Sequence, residues 1–280
     1  MNQSEVYDIK LIASDLDGTL LDSNGVLRER TEAAIRAAEG LGIPFTISTG
    51  RMFSSAARFA RQVDVRIPLI CYNGAMIRSL DGTTFSHEML DMDVAHRLLA
   101  IFRERDIYVQ SYVDDVLYVK NWRDSEYQDY MKHYGIDGVA IGDALYDPQI
   151  PPTKLLATTE GVEESRHLIR EIADIFGDSI YITSSNSEFV EIMNPNVNKA
   201  KALATLAGML GIGMESVMAL GDGENDVEMI REAGLGVAMG NSRQNARDAA
   251  NATAPTNDDH GVAWAIEKFI TGPLGPSETS

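Results

Sequence analysis

The 280-residue chain is predicted to be an α/β protein, with a Rossmann-like, doubly wound parallel sheet as its core and an inserted α+β domain. Near both ends of the sequence, short apolar runs alternate with helical segments, which is typical of parallel strands joined by helical crossovers. The middle of the chain instead alternates single apolar and polar residues, as strands with one solvated face do. Polar clusters also follow several apolar runs, at the sheet edge where such folds bind ligands.

Three strands and two helices are predicted in the first part of the chain. Residues 9–14 form an apolar run of the length of a short buried strand. Residues 28–42 are rich in alanine and end in glycine, as a helix and its C-terminal cap do. The same order then repeats, with a strand over 43–50, a helix over 52–63 and a strand over 67–74.

The alternation returns in the last third of the chain, where it predicts further strands of the same sheet. The GLGVAMG run at 234–240 is not a dinucleotide-binding loop, because that motif needs a strand before its first glycine. The predicted segments are a helix over 198–211, a strand from 216 into GDGEND, a helix over 227–234, a strand over 235–241 and helices over 242–250 and 260–270.

Residues 88–190 are predicted to form the inserted α+β domain, flanked by a core domain of residues 1–87 and 191–270. The tail, residues 271–280, is rich in Gly, Pro and Ser and is predicted to be disordered. Within the inserted domain we expect helices over 91–106, 125–134 and 162–176, and strands over 107–115, 116–120, 153–159, 179–186 and 188–193.

Composition argues against two classes of partner. With 24 basic and 42 acidic residues the formal net charge is −18, which repels phosphate backbones and makes nucleic-acid binding unexpected. No apolar run reaches membrane-spanning length, and the polar N-terminus is not a signal peptide. The single cysteine, Cys71, lies in an apolar run, which predicts a buried structural thiol in a cytoplasmic protein.

Polar residues cluster after four predicted strands, where the carboxyl ends of parallel strands meet. Neighbouring carboxylates need a cation to coexist, and oxygen ligands without Cys or His suit Mg²⁺. With Mg²⁺ bound, one aspartate can attack phosphorus and the other can serve as general acid and base. The clusters are Asp15 with Asp17, STGR at 48–51, NGA at 73–75 and GDGEND at 221–226.

Other residues at this edge suit a phosphoryl group. Thr49 and Gly50 offer a hydroxyl and backbone N–H groups at a helix start, and Lys199 would neutralise developing charge. The histidines show no metal-ligand spacing, and among them only His87 is a candidate for substrate contact. Candidate substrate contacts beside the site are Arg51, Asn73 and Gly74.

These motifs together resemble those of haloacid dehalogenase-like (HAD) phosphatases of the Cof-like branch, in which a type IIB cap is inserted into the core. In this family the lysine motif usually reads K-G-x-A-L, whereas Ala200 stands here in place of the glycine. Lys201 is the rival assignment, and the spacing of the motif favours Lys199. The resemblance covers essentially the whole chain and rests on DLDGT at 15–19, STGR at 48–51, NKAKAL at 198–203 and GDGENDVEM at 221–229.

The resemblance implies a role for each motif residue. Asp15 would be the nucleophile and a Mg²⁺ ligand, and Asp17 would be the acid and base, with its backbone carbonyl on the metal. Asp222 would be the third protein ligand, and Asp226 would support the ligands without touching the metal. The phosphoryl group would be held by the N–H of Leu16 and by Thr49, Gly50, Lys199 and Asn225. The inserted domain, the cap, would select the substrate.

The sequence therefore predicts a Mg²⁺-dependent phosphatase that hydrolyses small phosphate monoesters, sugar phosphates or related metabolites, through an aspartyl phosphate. A phosphomutase of the same superfamily stays open as an alternative. A phospho-acceptor signalling module also combines paired acids with Thr and Lys, but it is one short domain whose acceptor lies on a later strand than the acid pair. The physiological substrate and the oligomeric state are left open.

Overall fold

Strands and helices alternate along the protein as its sequence predicts. The structure is a computed structural model that describes residues 7–124, 128, 131, 135–136, 138–184 and 188–273. The strands of this part of the chain are β1 (Leu11–Ser14), β2 (Phe45–Ile47), β3 (Leu69–Cys71), β4 (Met76–Arg78), β5 (Thr84–His87), β6 (Tyr108–Val113), β7 (Val116–Val119), β8 (Gly138–Ala140), β9 (Lys154–Thr158), β10 (Tyr181–Thr183), β11 (Phe189–Met193), β12 (Val217–Gly221), β13 (Leu235–Ala238) and β14 (Ala252–Thr253).

The helices of the same part of the chain alternate with these strands, and the last helix follows the last strand. None of them, within the described residues, has both the length and the apolar composition that crossing a membrane requires. They are α1 (Glu29–Gly40), α2 (Phe53–Gln62), α3 (Met92–Glu104), α4 (Val162–Phe176), α5 (Lys199–Met209), α6 (Val227–Glu232), α7 (Gln244–Ala249) and α8 (Gly261–Ile266).

A parallel sheet of five strands forms the core, in the order β14-β13-β12-β1-β2. Every neighbouring pair in it runs parallel. A parallel bridge between Ser48 and Ile70 brings β3 alongside β2. The chain therefore leaves the central strand β1 on one side, through β2 and β3, and returns on the other side through β12. This strand order confirms the predicted doubly wound α/β core.

Different helices cover the two faces of this sheet. In β1, Ile12 packs into a hydrophobic cluster with residues of α1 and α8. Its neighbours Leu11 and Ala13 point to the opposite face and join a cluster with α5 and α6. Burial on both faces explains why the core strands are continuous apolar runs in the sequence.

The cap contains a second sheet of six strands, in the order β10-β11-β9-β6-β7-β8. Its pairs are antiparallel except for β7 and β8. Val109, Leu155 and Ile192 lie on one face and pack with α3 and α4 in a separate hydrophobic cluster. The other face carries Gln110 and Lys154 and faces the core across a cleft. This confirms the predicted inserted α+β architecture.

Some elements differ in extent from the sequence prediction. The predicted boundary between residues 190 and 191 falls inside β11, so we propose that the cap ends after Met193. The hairpin of β4 and β5 and the short strands β8 and β14 were not expected, because runs this short show no clear periodicity. The helix predicted over 125–134 lies mostly outside the described residues, as do residues 274–280 of the tail.

The turn between β6 and β7 fastens the cap to the core. Asp115 in this turn accepts the backbone N–H groups of Phe53 and Ser54, each at 2.8 Å, in the first turn of α2. Tyr72 of the core donates its hydroxyl to the same carboxylate, also at 2.8 Å. A helix N-terminus leaves N–H groups without partners, and here the cap supplies the carboxylate that binds them.

Close packing between β13 and α6 leads to a stability prediction. A Cβ at Gly236 would lie 2.0 Å from the carbonyl oxygen of Ile230, so Gly236→Ala forces the helix off the strand and should destabilise the protein by about 2 kcal/mol or more. Gly208→Ala is the matched control, because a Cβ on this exposed helical glycine meets nothing within 4 Å and should stabilise by about 0.5 kcal/mol. Urea unfolding measures both changes, and equal midpoints for the two variants would contradict this packing.

Candidate active site

Loops that follow four parallel strands meet at the carboxyl edge of the core sheet. Asp15 follows β1 and donates its backbone N–H to the carbonyl of Leu220 in β12 at 2.9 Å. Thr49 follows β2, and its carbonyl accepts the N–H of Asn73, after β3, at 3.0 Å. Asp222 follows β12 directly. Parallel pairing thus brings together polar residues from distant parts of the sequence.

A buried lysine holds two of the carboxylates at this edge. Lys199, the first residue of α5, donates to Asp15 Oδ1 and to Asp226 Oδ1, both at 2.6 Å. Burial acts to lower the pKa of Lys199, but the two carboxylates outweigh it, so the pKa is raised and the ammonium stays charged. Lys201, the rival residue in the sequence motif, is exposed.

Three carboxylates converge on this point. Asp15, Asp222 and Asp226 each offer an oxygen, and these oxygens lie within 4.8 Å of one another. Asp226 also accepts the backbone N–H groups of Asp222 and Gly223 at 3.0 and 2.9 Å, so the loop and Lys199 already occupy both of its oxygens. Three carboxylates face one ammonium, and this oxygen-only donor set has the chemistry that suits Mg²⁺.

The turn after β1 closes tightly around Asp222. Gly18 has a φ of +74°, and a Cβ there would lie 2.6 Å from Asp222 Oδ2. Thr19 donates its hydroxyl to Asp222 Oδ1 at 2.9 Å. The glycine and threonine of the DGT motif therefore allow the left-handed turn and orient a carboxylate that follows the neighbouring strand β12.

The carboxylate of Asp17 pairs with an arginine. Arg51 donates to its two oxygens from Nε at 2.7 Å and from Nη2 at 2.5 Å, a bidentate geometry that fixes the orientation of the carboxylate. The guanidinium also lies over the ring of Phe59, 5.4 Å from its centre. Asp17 remains 58% exposed, so it can meet both solvent and a bound molecule.

A cleft of about 300 Å³ lies between the edge of the core sheet and the cap. Leu16, Lys199, Asn73 and Gly74 are not among its lining residues in the described part of the chain. Lys199 reaches the site through Asp15, whereas Gly74 packs against the backbone of the residue before α5. The predicted site residues that do line the cleft are Asp15, Asp17, Thr49, Gly50, Arg51, Asp222, Asn225 and Asp226.

Two further residues from the sequence prediction lie outside the cleft. His87 forms a hydrogen bond with Thr153, with 2.7 Å between Nε2 and Oγ1, and is not among the described residues that line the cleft. Cys71 is fully buried in β3, and burial raises the pKa of its thiol, which agrees with a structural role.

The cap contributes polar residues that the sequence reasoning missed. Lys154 donates to the carbonyl of Gly50 at 3.0 Å and to Glu191 at 3.1 Å. Tyr112 donates its hydroxyl to Gln110 at 2.6 Å. All four of these cap side chains line the cleft. The available signal was a lone charged residue in each of the apolar strands β9 and β11, since alternate residues of a strand share one face.

Burial and like charge perturb the acidic cluster. Burial raises the pKa of Asp15 well above its ordinary value, Lys199 opposes this, and Asp226 and Asp222 add to it. Burial, followed by the nearby Asp226 carboxylate, raises the pKa of Asp222 to about 6. Without a cation, charging this cluster at neutral pH therefore costs folding free energy.

Comparison with known proteins gives a consistent family match. The family model described as haloacid dehalogenase-like hydrolase matches residues 12–266. The 5-amino-6-(5-phospho-D-ribitylamino)uracil phosphatase YcsE of Bacillus subtilis is 32% identical over 269 residues, covering 96% of this chain and 98% of its own.

Solved structures agree in fold. A haloacid dehalogenase-like hydrolase from Bacteroides thetaiotaomicron has a TM-score of 0.84 and 27% identity, covering 94% of this chain and 100% of its own. The HAD subclass IIB sugar phosphatase BT4131 has a TM-score of 0.79 at 20% identity, covering 93% of this chain and 98% of its own, and is similar in fold.

The raised pKa of Asp222 predicts a pH-dependent gain in stability for Asp222→Asn in the presence of EDTA. The unfolded carboxyl titrates near its ordinary 3.8 and the folded one near 6, so the folded protein binds the proton more tightly and loses stability as pH rises through this window. The variant should therefore gain about 1–3 kcal/mol at pH 7 and much less at pH 4.

Urea unfolding at the two pH values measures this difference. Asp174→Asn, on the exposed side of α4, is the matched control and should change stability by less than about 0.5 kcal/mol at either pH. A pH-independent loss of stability in Asp222→Asn would contradict the electrostatic account.

Proposed function

The chain belongs to the haloacid dehalogenase-like hydrolase family, and we propose that it is a Mg²⁺-dependent phosphatase that hydrolyses small phosphate monoesters through an aspartyl phosphate on Asp15. The observation that carries the proposal is the meeting of Asp15, Asp222 and Asp226 around Lys199 beside a cleft between core and cap. The similarity to a named phosphatase along nearly the whole chain supports the same reaction class.

The donor set fits Mg²⁺. Asp15 and Asp222 would bind it through their carboxylates, and Asp17 through its backbone carbonyl. Asp226 would remain outside, because Lys199 and two backbone N–H groups already use its oxygens. When bound, the cation supplies positive charge that allows an anionic carboxylate and an anionic phosphoryl group to approach each other.

The reaction would proceed in two displacements. A carboxylate oxygen of Asp15 attacks phosphorus, the bond to the ester oxygen breaks, and Asp17 gives its proton to the leaving alcohol. Asp17, now a carboxylate, then takes a proton from water, which attacks the phosphorus of the aspartyl phosphate. Inorganic phosphate leaves and Asp15 is restored. The bidentate contact with Arg51 would hold the Asp17 carboxylate in place between the two steps.

Fixed donors around Asp15 would bind the phosphoryl oxygens. The Thr49 hydroxyl and the Gly50 N–H follow β2, and both residues line the cleft. Lys199 and the amide of Asn225 lie at the loop after β12, and the N–H of Leu16 follows the nucleophile directly. Donors held by packing need no reorganisation as charge develops in the transition state.

The cap would contact the leaving group, because the core residues address the phosphoryl group, the metal and the proton. The predicted substrates are sugar phosphates or related metabolites, and the substrate in the name of the Bacillus relative, a phosphoribitylamino-uracil, falls within that range. Of the three predicted core contacts, Arg51 lines the cleft, whereas Asn73 and Gly74 are not among the described residues that line it. Described cap residues that line the cleft include Gln110, Tyr112, Met131, Ile136, Leu156 and Phe189.

Two observations favour hydrolysis over the phosphomutase alternative. A mutase must protect its aspartyl phosphate from water, whereas Asp17 lies beside Asp15 in the same loop and is open to solvent. The name of the Bacillus relative points in the same direction. The signalling-module alternative receives no support from a chain with a six-stranded cap sheet.

The first test of the proposal is metal dependence. The purified protein should hydrolyse 4-nitrophenyl phosphate with Mg²⁺ and lose that activity in excess EDTA, because the carboxylate cluster then repels the substrate. Adding Mg²⁺ should also raise the melting temperature, since a ligand of the folded state stabilises it. Equal rates with and without the chelator, measured by release of 4-nitrophenol, would refute the metal requirement.

The second test separates the two opening aspartates. Asp15→Asn should abolish turnover because an amide does not attack phosphorus, whereas Asp17→Asn should slow it by roughly 10²–10⁴-fold and accumulate the phosphorylated protein. Glu224→Gln is the matched control, since this exposed acid lies in the GDGEND loop without lining the cleft. Intact-mass spectrometry detects the phosphoryl adduct. Near-normal turnover in Asp15→Asn would reassign the nucleophile.

A further inference from the structure

A chain of hydrogen bonds joins the cap to a core residue proposed to bind the phosphoryl group. Glu191, in β11, accepts the side-chain N–H of Asn73 at 3.0 Å and the ammonium of Lys154 at 3.1 Å. Both hydrogen bonds end on the same carboxylate oxygen, Oε2. The carbonyl oxygen of Asn73 in turn accepts the amide of Asn225 at 2.8 Å. Glu191 and Asn73 are each 1% exposed, so water does not readily replace these bonds.

The chemistry of these groups fixes which one donates and which one accepts in each hydrogen bond. An ionised carboxylate only accepts hydrogen bonds, so the nitrogen of the Asn73 amide has to face Glu191. The oxygen of that amide then faces Asn225, which has to donate. The oxygen of Asn225 faces the opposite way, toward Gly223, where an added Cβ would lie 2.5 Å from it. One carboxylate of the cap thus fixes the orientation of two successive amides in the core.

We propose that Glu191 is a positioning residue that acts through Asn73 to hold the amide of Asn225 as a hydrogen-bond donor to the phosphoryl group. The inference rests on the proposed function, because it takes the phosphoryl group as the ligand of Asn225. Asn225 lines the cleft, and its second N–H is the group left for a phosphoryl oxygen, which only accepts. An inverted Asn225 would lose this donor.

Lys154 supports the same arrangement from the cap. Its ammonium pairs with Glu191 and donates to the carbonyl of Gly50, whose N–H is proposed to bind the phosphoryl group. Both side chains of this ion pair are almost fully buried, at 5% and 2% exposed. The pair therefore connects the cap to both sides of the phosphoryl site, the loop after β2 and the loop after β12.

If Glu191 served only to dock the cap on the core, a different result would be expected. Asp115 is a residue with such a docking role. Asp115 also ties the cap to the core, but its bonds go to the first turn of α2 and to Tyr72. If Glu191 only docks the cap, its loss and the loss of Asn225 should weaken phosphate binding independently. If Glu191 acts through Asn225, its loss should have no further effect once Asn225 is truncated.

The test is a double-mutant cycle between Glu191→Gln and Asn225→Ala in the full-length protein with Mg²⁺. The readouts are the Kd of inorganic phosphate by calorimetry and kcat/KM for 4-nitrophenyl phosphate. We expect each single variant to weaken phosphate binding roughly five- to tenfold and the double variant to bind as Asn225→Ala does. In the control cycle, the effects of Asp115→Asn and Asn225→Ala should multiply.

Multiplying effects in the Glu191 cycle, or an unchanged phosphate Kd in Glu191→Gln, would overturn the inference. Melting curves verify folding, and if Glu191→Gln does not fold, Glu191→Gln with Lys154→Met removes both buried charges and enters the same cycle. A protein that binds phosphate with the expected coupling but hydrolyses no ester would refute the proposed function alone. A protein that does not bind phosphate would refute the inference as well.

Discussion

The excess negative charge of three aspartate carboxylates around one buried ammonium is the constraint on which the site depends. Asp15, Asp222 and Asp226 lie within reach of a single cation, and Lys199 contacts two of them. The surrounding loops are organised to hold this charge. Thr19 binds Asp222, the backbone of the GDGEND loop binds Asp226, and the turn at Gly18 leaves no space for a side chain. On the proposed function, Mg²⁺ supplies the missing positive charge.

The cap covers the charged edge of the core from across the cleft. One face of its sheet packs on its own helices, while the other carries buried polar side chains that bond to the core. Lys154 reaches Gly50, Glu191 reaches Asn73, and Asp115 binds the start of α2. These contacts fall on the loops that follow β2 and β3 and on the helix after β2. The cap therefore contacts Gly50, which the proposed mechanism assigns to phosphate, and the neighbouring parts of the core.

The meeting of the core residues can be predicted from the sequence because it follows from a local rule. A polar residue directly after an apolar run lies at a strand end, and parallel pairing then brings Asp15, Thr49 and Asp222 together. The cap residues follow no such rule. Lys154 and Glu191 are single polar residues inside strands, and their partners depend on how the cap sits on the core, which periodicity does not specify. The predicted end of the cap falls inside β11 for the same reason, since a strand pattern does not reveal which sheet a strand joins.

The position of the Lys154–Glu191 pair bears on how the cleft would open. Both residues belong to the cap, in β9 and β11, so they stay paired when the cap moves away from the core. Opening then breaks the bonds to Gly50 and Asn73, not a buried ion pair. Hydrogen bonds to charged groups contribute about 1.5–3 kcal/mol each, and water offers replacements, whereas separating a buried pair costs about 3–5 kcal/mol. The ion pair itself therefore adds nothing to the cost of opening, which comes from the hydrogen bonds to Gly50, Asn73 and α2 and from apolar cap residues such as Leu156 that share a hydrophobic cluster with the core.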